Sequence, residues 1–73
     1  MDANEWIAGF AGELGVEPPD AATIEQLLDL AGAAAHASER IAAPIACYLA
    51  GLTRTDPTKA LGLAARVGEA SGG

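Results

Sequence analysis

Several residue types are scarce in this 73-residue chain, and each scarcity excludes a kind of protein. Only one Cys is present, so no disulfide can form within the chain, and Cys47 with the single His36 falls short of the ligands that a zinc site needs. Trp, Tyr and Phe occur once each and β-branched residues are few, which disfavours a β-sheet. No apolar run reaches the roughly eighteen residues that a membrane-spanning helix requires.

Basic residues are also scarce. The chain has four basic residues and ten Asp and Glu, and its net charge is −6; the basic residues are Arg40, Arg54, Lys59 and Arg66. Nucleic acids and anionic membrane surfaces are bound by clustered Lys and Arg, so we expect neither as a partner. The opening MDANEW carries acids where a secretory signal carries Lys or Arg. We therefore expect a cytoplasmic protein.

Alanine is abundant, at about a quarter of the residues. It has the highest helix propensity and lets helix axes approach closely. The sequence therefore predicts a single all-α domain over residues 1–73, a small bundle of about four helices. Their expected ranges are 3–14, 24–39, 44–52 and 57–68, with a frayed tail at 70–73. A core this small is marginally stable, so we expect additional stability from efficient helix packing, from oligomerisation or from a protein partner.

Local signals place the helix ends. Asp2 and Glu5 have capping-box spacing, with Met1 and Trp6 at the two positions of a hydrophobic staple, and Gly15 is a typical stop. For the second helix the candidates are Asp20 and Thr23, and Thr23 is preferred because Gln26 completes another capping box. Pro44 fits the first turn of the third helix, and Asp56-Pro57 begins the fourth.

Apolar residues at helical spacing predict which side of each helix is buried. The expected inward stripes are Trp6, Ile7, Phe10 and Leu14; Ile24, Leu27, Leu28, Ala31, Ala34 and Ala35; Ile45, Tyr48, Leu49 and Leu52; and Ala60, Leu61, Ala64 and Val67.

Two single residues could carry chemistry. His36 could be an acid-base group or a ligand, but no second catalytic group is placed to work with it, so a surface His near a helix C-terminus is favoured. Cys47 could be a nucleophile, a metal ligand or a redox switch. It has no cationic neighbour in its helix, so packing as a small hydrophobe is favoured.

Charged and aromatic residues offer two further readings. Glu39 and Arg40 could bind a charged group of a partner. The favoured interpretation is that they pair with charges on adjacent helices and fix the corner between the second and third helices. Trp6, Phe10 and Tyr48 could line a ligand pocket, but with so few aromatics they are expected to supply the bulk of the core. The candidate partner-binding residues are His36, Glu39, Arg40 and Tyr48.

Standard catalytic motifs are absent from the sequence. There is no phosphate loop, Ser/His/Asp set, zinc motif or EF-hand loop. We therefore expect no enzyme activity, no catalytic or metal-binding residues and no cofactor.

The segment LLDLAGAAAHASERIAAPIACYLAGL resembles a family of small helical domains of unknown function from high-GC Gram-positive (actinobacterial) bacteria. The matching elements are Trp6, Leu27-Leu28-Asp29-Leu30-Ala31, His36, Arg40, Ala42-Ala43-Pro44 and Leu49-Ala50-Gly51. Such domains occur alone or fused to proteins that resemble the guanylyltransferases of molybdenum-cofactor (molybdopterin-guanine dinucleotide) biosynthesis. The chain departs from the pattern in the fourth helix, where Val67 stands in place of a late Trp. The resemblance implies an accessory role in maturation of the cofactor or of molybdoenzymes.

The expected function is a non-enzymatic helical accessory module that self-associates or docks on a larger protein. One alternative is an acidic carrier-like domain, although Ser38 lacks the Asp-Ser-Leu context that phosphopantetheine attachment needs. The other is a small ligand or metal sensor built on His36, with Cys47 as its partner.

Overall fold

Four α-helices make up the fold in the computed structural model, which describes the backbone of residues 1–72 and the side chains of residues 1–67. The helices are α1 (Ala3–Leu14), α2 (Ala21–Ala37), α3 (Ala42–Leu52) and α4 (Pro57–Gly72), and the described residues contain no strand. The predicted small all-α bundle is thus confirmed.

Helix α1 begins and ends as predicted. Asp2 is the N-cap, and its Oδ1 accepts a hydrogen bond from the Glu5 backbone N–H at 2.8 Å. Gly15 ends the helix at φ 77°, and the N–H groups of Gly15 and Val16 donate to the carbonyl oxygens of Gly12 and Ala11. This pair of bonds is a Schellman motif. Met1, the first residue of the predicted staple, is 92% exposed and lines an open groove together with Trp6, the second.

Helix α2 begins earlier than predicted. Its N-cap is Asp20, whose Oδ1 accepts from the Thr23 N–H at 2.8 Å, so the preference for Thr23 as the cap was wrong. An Asp cap at position 20 adds a further turn of hydrogen-bonded helix, which outweighs the second capping box. The helix ends at Ala37, two residues before the predicted end, with Ser38 as its C-cap.

The corner between α2 and α3 is closed by backbone hydrogen bonds. The N–H groups of Ala42 and Ala43 donate to the carbonyl oxygens of Glu39 and Arg40, at 2.9 and 3.1 Å. Helix α3 therefore begins at Ala42, two residues before the predicted start at 44, and Pro44 lies in its first turn as expected. The missing N–H of proline removes no hydrogen bond there, because the first N–H groups of a helix have no partner within it.

The connection from α3 to α4 contains a strained residue. Arg54 has φ 54°, a left-handed conformation that glycine usually occupies. Asp56 then caps α4 by accepting from the Thr58 N–H at 3.1 Å, and Pro57 is the first helical residue, as predicted. The helix extends beyond the predicted end at 68. Side chains from 68 onward and all of Gly73 lie outside the described residues, so the frayed tail at 70–73 stays a prediction.

Helix α2 is the centre of the fold, and α3 and α4 both pack against it. The buried cluster consists of Leu30 from α2, Ala50 from α3 and Ala60 from α4, at 3%, 8% and 8% exposure. Half-buried Ala46, Cys47 and Ala64 pack around it. The contact faces of α3 and α4 are thus composed mainly of small residues, which permit close helix approach.

Helix α1 packs only weakly against the other helices. Its residues Ile7 and Ala8 line an open cleft with Pro18, Pro19 and Ile24, at the start of α2. The most buried α1 residue is Ala11, which belongs to no shared cluster with the other helices.

The predicted inward stripes were wrong for most of the large residues. Nine of them are exposed by about half or more, namely Trp6, Phe10, Leu14, Leu28, Ile45, Tyr48, Leu49, Leu52 and Val67. Leu30, which was not assigned to a stripe, is the large side chain at the centre of the core. Small residues face inward because they allow α2, α3 and α4 to approach, and the large residues on other sides of the helices stay outside.

The molecule is elongated, with extents of 42 × 23 × 18 Å and a radius of gyration of 13.2 Å. A compact domain of this length has a radius of about 11 Å. Within the described part of the chain, no helix has the length and apolarity to cross a membrane.

Candidate partner-binding surfaces

The four candidate partner-binding residues are all exposed, but they do not form one cluster. His36 lies in the last turn of α2, and Glu39 and Arg40 follow in the corner before α3. Tyr48 lies two turns further on, on the outer side of α3 and 63% exposed. No hydrogen bond or ion pair joins these four side chains to one another or to another described residue.

The predicted ion pairing at the α2–α3 corner is therefore absent from the described residues. The corner is held by the backbone carbonyls of Glu39 and Arg40, not by their side chains. Both charged groups remain solvated, because an exposed ion pair here would gain little free energy over hydration. Their side chains are left accessible to a partner.

Cys47 packs as expected. It is half-buried against the Leu30 cluster, and its Sγ lies 3.8 Å from the carbonyl oxygen of Leu27. No group of three His, Cys, Asp or Glu side chains in the described chain is arranged to hold a metal ion. His36, by contrast, is on the surface.

Ser38, the serine weighed for a carrier role, lies at the C-terminal end of α2. Its hydroxyl donates to the carbonyl oxygen of Ala34 at 3.0 Å. A phosphopantetheine-bearing serine needs to lie at the start of a helix with its hydroxyl free, and Ser38 has the opposite position.

The aromatic residues do not form the core, contrary to expectation. Trp6 and Phe10 stack on each other on the surface of α1, with ring centroids 5.0 Å apart and an angle of 27° between the ring planes. They are 57% and 50% exposed and lie in an open groove that also includes Glu5 and Glu13. We call this groove the α1 face, and Glu5 and Glu13 make its rim acidic.

A second apolar surface runs along α3. Five large side chains share its outer side at helical spacing, and each is more than half exposed; they are Ile41, Ile45, Tyr48, Leu49 and Leu52. We call this the α3 face. The inward side of the same helix, with Ala46, Cys47 and Ala50, is also apolar. A helix that is apolar on all sides is normally covered on all sides.

The α3 face was missed at the sequence level, although a signal for it exists. No charged residue occurs from Ile41 to Thr53, so the segment offers no polar side to turn toward water. A surface helix in contact with one neighbour normally carries charges on its outer side. That run was interpreted as one buried stripe, whereas it supplies two apolar sides.

Charge divides the chain into two unlike halves. Residues 1–38 contain seven Asp and Glu and no Lys or Arg, whereas residues 39–73 contain three acids and four cations. The α1 face thus belongs to a strongly acidic half. The α3 face belongs to a nearly neutral half, with Glu39 and Arg40 before it and Arg54 and Asp56 after it.

Comparison with known proteins adds one finding. No curated protein and no solved structure matches the chain. The family model described as "Domain of unknown function (DUF6457)" matches residues 1–72, and the chain therefore belongs to this family.

Proposed function

We propose that this domain is a non-enzymatic helical accessory module that acts by self-association or by docking on a larger protein. The observation that carries the proposal is the amount of apolar surface left uncovered. Thirteen large hydrophobic side chains are exposed in the described chain, and no large side chain is completely buried. Five of the thirteen form the α3 face, and exposed apolar patches on soluble proteins often mark interaction sites.

The total surface supports the same proposal. The chain has 5623 Å² of accessible surface, whereas a compact monomer of 7.3 kDa has about 4200 Å². The difference of about 1400 Å² exceeds the roughly 800 Å² that each partner contributes to a standard interface. Covering it would supply the burial that the small core lacks.

The proposed setting is cytoplasmic and linked to molybdenum-cofactor or molybdoenzyme maturation. This link rests on the family resemblance at Leu27–Gly51 and on the fusions that this resemblance implies. The excess of acids argues against nucleic acid or an anionic membrane as the direct partner. We propose no cofactor for the domain itself.

The proposed contact residues are His36, Glu39, Arg40 and Tyr48, whether the partner is a second copy or a larger protein. Their exposure and their lack of partners among the described residues support this choice. Aromatic and Arg side chains are also the types enriched at the energetic centres of interfaces.

A capture experiment with the immobilised domain and lysate of its native host tests the proposal. We expect specific capture by the wild type, loss of capture on Arg40→Ala or Tyr48→Ala, and retention on Arg66→Ala. Arg66 is a matched control because it is an exposed Arg on α4. Capture of a protein of molybdenum-cofactor or molybdoenzyme maturation supports the proposed setting. If no such protein is among those captured, that setting is contradicted. A domain that is monomeric and captures nothing contradicts the interaction role.

A further inference from the structure

The geometry points to a second copy of this chain as the occupant of the α3 face, in an isologous dimer whose two α3 helices pack antiparallel. This inference rests on the proposed interaction role and specifies one surface and one occupant for it. Three observations carry it, namely the apolarity of α3 on both sides, the distribution of charge, and the amount of surface to be covered.

The two sides of α3 have different kinds of apolar residue. Ala46 and Ala50 face the core, whereas Ile45, Tyr48 and Leu52 face outward. The small residues are matched to close contact with α2. The large ones present protruding side chains that can fill the spaces on another helix, as ridges fit into grooves.

Charge selects the α3 face over the α1 face for self-association. A second copy brings the same charges, so the α1 face, which is lined by Glu5 and Glu13 and belongs to a half with seven acids and no Lys or Arg, repels its own copy. The α3 face has no charge from Ile41 to Thr53, and two copies can meet there without burying an ion.

The charges at the ends of the face are compatible with the antiparallel arrangement. Each end carries one acid and one cation, Glu39 with Arg40 at the start and Arg54 with Asp56 after the end. Antiparallel packing places the start of one face beside the end of the other, so each acid has a cation available in the second copy. The opposed helix dipoles favour the same orientation.

The surface excess fits one such interface. A dimer through the α3 face needs roughly 800 Å² from each copy, and the accessible surface of the whole chain exceeds that of a compact monomer by about 1400 Å². A residual apolar area would then remain at the α1 face, away from the dimer contact.

Sedimentation equilibrium of the full chain tests the inference with a matched pair of substitutions. Leu52 on the α3 face and Leu14 on α1 are 63% and 61% exposed, so Leu52→Lys and Leu14→Lys introduce the same charge at equal exposure. We expect a wild-type mass of twice 7.3 kDa, weakening of the dimer by at least about tenfold in Kd with Leu52→Lys, and little change with Leu14→Lys. Far-UV circular dichroism checks that both variants keep their helices.

A cross-linking measurement covers the case in which a charged variant misfolds. Tyr48 lies near the middle of the α3 face, so Tyr48→Cys in a Cys47→Ala background places a thiol close to the two-fold axis. We expect a disulfide between copies under mild oxidation, and none from Leu14→Cys in the same background.

The outcomes separate this inference from the proposed function. A wild type that is monomeric at about 200 µM overturns the dimer. If that monomer still captures a partner in the host lysate, the interaction role stands while the dimer fails. A dimer that resists Leu52→Lys, or that is broken by Leu14→Lys instead, overturns the assignment to the α3 face.

Discussion

The thiol of Cys47 and the carbonyl oxygen of Leu27 lie 3.8 Å apart across the contact between α3 and α2. This contact defines which side of α3 faces inward. With Cys47 inward, the helical period turns Ile45 and Tyr48 toward solvent. The side of α3 that faces solvent is thus determined by the packing of its small side chains against α2, not by the position of its large ones.

Leu30 should dominate the stability of the fold, since it is the one large side chain in the buried cluster at 3% exposure. We expect Leu30→Ala to lower the free energy of unfolding by about 2–4 kcal/mol, because it removes buried methyl groups and leaves a cavity. Leu28→Ala is the matched control, as Leu28 lies on the same helix but is 65% exposed, and its cost should be below about 1 kcal/mol. Urea denaturation measures both, and equal losses would contradict the assigned core.

Glycine at position 54 should stabilise the fold relative to other small residues, because the φ of 54° that Arg54 adopts is strained for any residue with a Cβ. We expect Arg54→Gly to exceed Arg54→Ala in free energy of unfolding by about 0.5–1 kcal/mol. Both variants remove the same charge, so the comparison isolates the backbone. An Ala variant as stable as the Gly variant would show that the left-handed turn is not populated in solution.

Asp20 makes the start of α2 sensitive to acid. The hydrogen bond from the Thr23 backbone N–H lowers the pKa of the Asp20 carboxyl below its ordinary value. A lowered folded-state pKa means that the ionised cap stabilises the fold above the unfolded-state pKa of about 3.9, and that this contribution is lost as pH falls through the folded-state pKa.

The measurement for Asp20 is thermal unfolding from neutral pH to about pH 2, with Asp20→Asn as a neutral cap that keeps an acceptor oxygen. We expect the wild type to lose its advantage over Asp20→Asn below about pH 4. Asp20→Ala, which removes the acceptor, should lower the midpoint at neutral pH by roughly 5 °C. A difference between wild type and Asp20→Asn that stays constant across the pH range would contradict this role.

The number of helices and four of their eight ends were predicted from sequence, because caps depend on a few adjacent residues. Asp2, Gly15 and the Asp56-Pro57 pair act at the predicted positions. The end of α2, the start of α3 and the end of α4 differ from the predicted ranges. The start of α2 differs as well, since Asp20 and Thr23 offered two overlapping capping patterns and only the added turn of helix decides between them.

Which sides of the helices are buried could not be predicted from periodicity alone. In α3 the residues at every angle are apolar, so spacing cannot distinguish the inward side from the outward side. The expectation that the largest side chains are buried was wrong here. The helix sides that carry Ala50 and Ala60 allow neighbouring helices to approach more closely than the sides that carry Tyr48 or Val67. The exposure of His36, Glu39 and Arg40 was easier to foresee, since they are polar residues at a helix end and corner.

The central claim is that the fold is completed by a second copy, and the most direct test is thermal unfolding of the wild type at about 2 and about 200 µM. Unfolding of a dimer into two chains is favoured by dilution. The account therefore predicts a midpoint that rises by about 5–10 °C over this range. A midpoint that does not change with concentration would contradict it.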